Sequence, residues 1–201
     1  MQKCDFKNYG FLKDKLPDSL FKDLLEESEK NLEKYDVGIK GGGLPGHYKL
    51  SNPSLHAKVN RYILTLAAAY NQIYPNYLNS ISIANKALPF GVGDCWFNFQ
   101  NKTDYFPNHM HNGVYSFSIW LKIPFFAKDE STGDEDGYTS KFQFVYSSIL
   151  GDLLTETMDI DKSNEGEIVL FPSKMMHCVF PFYSSNETRI SFSGNVQLIS
   201  Q

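Results

Sequence analysis

Five histidines occur in the 201 residues of this chain, and three of them have a spacing that suits chemistry. His109 and His111 are separated by Met110 alone. Residues two apart in an extended segment point to the same side, so both imidazoles can face one ion. His177 follows 66 residues after His111, behind the run Gly166-Glu-Ile-Val-Leu-Phe-Pro172, which reads as a strand and turn leading to a barrel mouth. A close pair plus one distant His is one way for a β-barrel to build a three-point metal site with open positions. A plainer reading also stands, in which each imidazole only satisfies a buried hydrogen bond. His47, in a glycine-rich segment, and His56, in a helical one, have no partner pattern and read as structural or solvated.

Arg189 lies 12 residues beyond His177, with Ser191, Ser193 and Asn195 following at alternate positions. A guanidinium cannot shed its charge, so an inward-facing Arg in a barrel calls for an anion. A dicarboxylate ligand would supply one bidentately, with Ser191 adding a hydroxyl on the same face. A carboxylate of the protein would serve as well. Asn98 sits on the polar side of the strand before the His pair, where its amide can bond to backbone. Asp94 and Asp104 lie upstream of the pair without its one-residue spacing and read as turn or surface residues.

Such residues need a frame to position them. Pro17-Asp18-Ser19 opens a helix with Leu20, Phe21, Leu24, Leu25 and Leu32 on one face, ending before Gly38. The stretch 41–46 is a glycine-rich loop. Ser54 is expected to cap a second helix, whose Leu55, Val59, Ile63, Leu66 and Tyr70 step by three or four and which Pro75 closes. From about Ile81 the period falls to two, with strands expected over 81–84, 95–100, 114–123, 142–146, 153–158, 167–171, 178–182 and 188–199. Turn-forming clusters over 131–137 and 184–187 separate some of them. So many short strands suggest a sandwich or barrel of jelly-roll type, mainly β with N-terminal helices (α+β). One domain spans 1–201, with a helical support region over 1–79 and a β core over 80–201. If the helices cover the apolar strand faces, the polar faces line a cavity; the alternative is that they face solvent.

Composition narrows the function classes. Lys and Arg number 19 against 23 Asp and Glu, for a net charge of −4, and no basic cluster is present. That argues against a nucleic-acid or membrane-surface binder. The 16 Phe and 12 Tyr suit strands and a sizeable core. Cys4, Cys95 and Cys178 form no CxxC pair, which excludes a thiolate zinc site and argues against a disulfide framework. The stretch 1–12 is polar, so no secretory signal is expected, and no apolar run approaches a membrane span. These features point to a cytoplasmic protein, and nothing in the pattern assigns an oligomeric state.

From about Trp96 to Asn195 the chain resembles the Fe(II)/2-oxoglutarate-dependent oxygenases. The resemblance rests on His109-x-His111, the distal His177 and Arg189-x-Ser191, in that order. The segments Trp96-Phe-Asn98, Ser116-Phe-Ser-Ile-Trp120 and 166–172 look like an uncharacterised subgroup with an H-x-H motif, found in phages that infect marine cyanobacteria. The resemblance implies a double-stranded β-helix (jelly roll, cupin-like) core with support helices, in a host cytoplasm if the chain is phage-encoded. It implies that His109, His111 and His177 hold Fe(II), and that Arg189 and Ser191 anchor 2-oxoglutarate, with Asn98 near its ketoacid end. It further implies O2 as co-reactant, ascorbate as an accessory reductant, and hydroxylation of a peptide, protein or metabolite with release of succinate and CO2. The departure is His111, where most of the superfamily has a carboxylate; a neutral third ligand leaves the metal at +2 rather than +1. Two other readings remain open at this stage: a cupin-like three-His dioxygenase that uses no 2-oxoglutarate, and a non-catalytic β-sandwich binding protein.

Overall fold

The period-two strands place their apolar and polar residues on opposite faces, and the helices cover the apolar one. The computed structural model describes residues 8–32, 46–81, 89–130 and 137–199, together with Met1. In chain order the elements are β1 (Leu12–Lys15), α1 (Asp18–Leu32), β2 (Gly46–Lys49), α2 (Pro53–Ile73), α3 (Tyr77–Ser80), β3 (Phe90–Gln100), β4 (Phe106–His109), β5 (Tyr115–Lys122), α4 (Ala127–Glu130), β6 (Phe142–Ser147), β7 (Leu153–Met158), β8 (Glu167–Pro172), β9 (Met176–Val179) and β10 (Arg189–Leu198). They build a six-stranded sheet, ordered β1-β8-β5-β10-β3-β2, and a four-stranded sheet, ordered β4-β9-β6-β7. Both are antiparallel throughout, which is the expected mainly-β jelly-roll class.

Phe97 and Phe99 on β3, Phe117 and Ile119 on β5, and Ile190 and Phe192 on β10 pack with Leu24 of α1 and Val59, Ile63 and Tyr70 of α2 in one core. Burying each such side chain contributes about 1.5–3 kcal/mol. The opposite face of the large sheet carries Trp120, Val169 and Phe171, which meet Phe142 and Phe144 of the small sheet in a second core. Elsewhere on that face the residues are polar, and they line a cavity instead.

Several elements depart from the sequence expectation. The N-terminal third is not purely helical: β1 pairs with β8, and β2 with β3, so this region supplies both edges of the large sheet. Four-residue edge strands are too short to show a period, and the lysines at Lys13, Lys15 and Lys49 are typical edge residues. Asn52, not Ser54, caps α2: its Oδ1 accepts from Leu55 N at 3.2 Å, and Pro53 takes the first turn, where its missing N–H costs nothing. Strand β3 begins five residues before the expected start at Cys95, and β9 begins at Met176, so His177 lies inside a strand rather than ahead of one. The expected strand over 81–84 lies outside the described residues apart from Ile81, which follows α3 directly. Cys4, the loop residues 41–45 and the acidic turn 131–136 are also outside them. Among the described residues no helix is long and apolar enough to cross a membrane.

Candidate metal centre

Strand pairing places the histidines. β4 runs antiparallel to β9 with His109 directly opposite His177. Two residues on, His111 is fixed by its own backbone, whose N–H donates to Ser173 O at 2.8 Å. The chain then enters β5 through Gly113, whose φ of +121° only glycine adopts readily and where a Cβ would lie 2.8 Å from Val196 O. Thus the cross-strand pair and the constrained turn bring all three rings together. Their ligand atoms lie within 4.8 Å of one another.

The hydrogen bonds also set the tautomers. His109 Nδ1 is 2.8 Å from Pro107 O, and His177 Nδ1 is 3.0 Å from Met175 O. A carbonyl only accepts, so each Nδ1 carries the proton and each Nε2 keeps its lone pair, the form a metal needs. Burial pushes the pKa of His177 from 6.5 down to about 3 and that of His111 to about 4, and lowers that of His109. All three are neutral at pH 7 and need lose no proton to bind. Around them, Phe142 stacks on His177 at 5.4 Å, Phe171 meets the same ring edge-on at 4.8 Å, and Trp96 lies 5.8 Å from His111. Three neutral nitrogen donors in a half-apolar wall fit a divalent first-row metal.

These shifts predict how the metal-free protein responds to acid. In the unfolded chain each His takes a proton near pH 6.5, whereas the folded His177 and His111 resist protonation until about 3 and about 4. The unfolded state therefore binds more protons below pH 6.5, and stability falls as pH is lowered. A thermal-unfolding series without metal should show Tm dropping from pH 7 to pH 5; a constant Tm over that window would contradict the assignment.

The triad borders a cavity of 620 Å³. Asn98, Ser118, Ser191, Ser193 and Asn195 form its polar side, so the alternating faces of β3, β5 and β10 do line an interior. One hydrogen-bond chain there has a defined direction. Trp96 Nε1 donates to Asn98 Oδ1 at 3.0 Å, and Asn98 Nδ2 donates to Ser191 Oγ and Ser193 Oγ, both at 3.1 Å. An indole N–H only donates, so the amide orientation is settled and the serine oxygens are acceptors. The Ser191 hydroxyl proton is left to donate to a cavity ligand. Both Asn98 amide protons are used within this chain of bonds.

Arg189 is placed differently from the other expected residues. It shares the strand face of Ser191 but lies one alternate position deeper, only 3% exposed, and it does not line the cavity. Its Nε donates to Gln100 Oε1 at 3.0 Å, Nη2 to the same oxygen and to Phe180 O at 3.0 Å, and Nη1 to Ser140 O at 2.9 Å. Phe125 and Phe182 flank the guanidinium at 5.8 and 5.5 Å. Burial lowers its pKa to about 9, so it remains charged at neutral pH, and among the described residues it forms no ion pair. The Ser191 hydroxyl in the cavity and a buried cation one alternate position along the same strand face match a dicarboxylate in kind.

Other residues fall outside the sequence expectation. His47 is not a loop residue: it sits on β2 opposite Asn98 and lines the cavity, with its ring 5.6 Å from Phe106. The neighbouring glycines suggested a loop, but backbone pairing with β3 turns the segment into a strand. His56 is structural as expected, with Nε2 3.1 Å from Gly93 O. Asp94 borders the cavity but is exposed and paired with Lys49 Nζ at 2.6 Å, while Asp104 closes a turn by accepting from Asn101 N at 2.8 Å. Neither joins the ligand group.

A family model described as "Putative 2OG-Fe(II) oxygenase" matches residues 94–195. A search of curated proteins finds no match. Among solved structures, a Pseudomonas putida prolyl-4-hydroxylase superposes with a TM-score of 0.56 at 15% identity, over 92% of this chain and 91% of that one. A Trichoplax adhaerens prolyl hydroxylase, in complex with a hypoxia inducible factor oxygen degradation domain peptide fragment, gives 0.52 at 12% identity, over 94% and 83%. HygX from Streptomyces hygroscopicus, with nickel and 2-oxoglutarate bound, gives 0.52 at 12% identity, again over 94% and 83%. Identities this low establish a shared fold alone.

Proposed function

Because the chain belongs to the 2OG-Fe(II) oxygenase family, we propose that it hydroxylates a C–H bond of its substrate, with His109, His111 and His177 holding the iron and Ser191 and Arg189 anchoring 2-oxoglutarate. The observation that carries this reading is the convergence of three neutral imidazoles beside a cavity whose polar side presents serine hydroxyls. Bound iron would supply the oxidising chemistry, dividing the two atoms of O2 between the substrate carbon and 2-oxoglutarate, which leaves as succinate and CO2. The H-x-H pair leaves the protein's ligands without charge.

The residues of the chain have separate tasks. Pro107 O and Met175 O hold the rings of His109 and His177 by their Nδ1 protons, so their Nε2 atoms stay aimed at one point. Phe142 and Phe171 exclude water from the side of the triad facing the second core. Trp96 fixes the Asn98 amide, which in turn holds the Ser191 and Ser193 oxygens and directs a hydroxyl proton toward an anionic ligand. His47 lines the cavity across from Asn98 and is in a position to touch substrate.

One observation favours a second reading, a three-His dioxygenase that does not use 2-oxoglutarate: the Arg189 guanidinium lies outside the cavity lining. Aerobic incubation with Fe(II), ascorbate and 2-oxoglutarate separates the two. Slow, iron-dependent succinate formation is expected even without added substrate; succinate no higher than in buffer would favour the second reading.

A further inference from the structure

Arg189 has an unusual partner for a buried cation. Its cross-strand neighbour in the β10–β3 register is Gln100, itself only 4% exposed. Gln100 Oε1 accepts from both Nε and Nη2, a forked arrangement that a carboxylate commonly fills. The amide cannot be turned over, because its Nε2 donates to Asp104 O at 2.5 Å and to Phe180 O at 3.5 Å, and carbonyls only accept. Among the described residues the acidic group acting on Arg189 is Glu130, but its carboxylate accepts from Tyr183 N, Ser184 N and Ser184 Oγ and forms no ion pair with the guanidinium. Four donated bonds therefore hold the guanidinium in place, all to neutral oxygens. Among the described residues one N–H on Nη1 keeps no acceptor and no carboxylate neutralises the positive charge by direct contact.

We infer that Gln100 is a positioning residue, which holds Arg189 by a neutral fork so that its charge stays available to the distal carboxylate of the cosubstrate. This rests on the 2-oxoglutarate reading above. A glutamate at the same position would fill the fork equally well but would cancel the charge. Glutamine and glutamate are nearly identical in shape; they differ in charge and in the Nε2 bonds to Asp104 O and Phe180 O, which a carboxylate cannot donate. The expected signature is confined to one end of the ligand: 2-oxoglutarate carries a distal carboxylate, and 2-oxovalerate has a methyl group in its place.

The test is calorimetric titration of both ketoacids into Ni(II)-loaded wild type, Gln100→Glu and Gln100→Met. Wild type is expected to prefer 2-oxoglutarate over 2-oxovalerate. In Gln100→Glu, 2-oxoglutarate binding should weaken about 30- to 100-fold, the scale of a charge-assisted bond, with 2-oxovalerate and Ni(II) binding unchanged. Gln100→Met leaves the charge but removes the fork, so the loss should be smaller, about 5- to 10-fold. It also serves if repulsion between the new carboxylate and the Asp104 and Phe180 carbonyls prevents Gln100→Glu from folding. Equal weakening of both ketoacids would mark Gln100 as merely structural, and an unchanged preference in both variants would overturn the inference. If wild type binds no 2-oxoglutarate, the functional reading falls first and this one with it.

Discussion

Replacing His177 with alanine should abolish metal binding while the protein still folds. His177 is the most buried of the three histidines, it lies opposite His109 across β4 and β9, and its ring is tied to Met175 O. Without it two imidazoles remain, and a two-point site forfeits about 100-fold or more in affinity. Wild type should gain thermal stability on addition of Fe(II) or Ni(II), because a ligand that binds only the folded state raises Tm. The variant should show no such gain. The substitution costs about 2–4 kcal/mol from the cavity and the unpartnered carbonyl, within the reserve of a domain this size. It also removes a group that resists protonation, so the metal-free variant should lose less stability than wild type between pH 7 and pH 5. A variant that binds metal as tightly as wild type would place the metal elsewhere.

The second large effect belongs to Arg189→Met. The unbranched side chain keeps much of the volume and removes the charge. Binding of 2-oxoglutarate to the metal-loaded protein should fall about 100-fold, and the preference over 2-oxovalerate should vanish, while metal affinity is unchanged. Stability should also fall, because Gln100 Oε1 and Ser140 O lose their donor and Phe180 O loses one of two; relief from burying a charge returns part of that, leaving a net cost of about 2–3 kcal/mol. Loss of stability with an intact preference for 2-oxoglutarate would show that Arg189 only holds loops together and that Ser191 and its neighbours anchor the ligand without it.

The parts of this molecule legible in the sequence were those written in local periodicity. The alternation of Arg189, Ser191, Ser193 and Asn195 marked one strand face, and all but Arg189 do line the cavity. The stepping of Leu55, Val59, Ile63, Leu66 and Tyr70 likewise marked the buried face of α2. What stayed hidden depends on register between distant strands. His47 enters the cavity only because β2 pairs with β3 and sets it opposite Asn98, 51 positions away. Gln100 meets Arg189 for the same reason, and nothing near Gln100 in the chain announces a cation 89 residues later. The edge strands β1 and β2 stay hidden because four residues are too few to show a period.

On the proposed function, the three histidines and the cavity beside them form a joint site for iron and 2-oxoglutarate. Anaerobic titration of 2-oxoglutarate into the protein, with and without Fe(II), tests it most directly. Saturable binding of one equivalent is expected, dependent on the metal and lost in His177→Ala; an Fe(II)-loaded protein that binds no 2-oxoglutarate, or binding indifferent to the metal, would rule the joint site out.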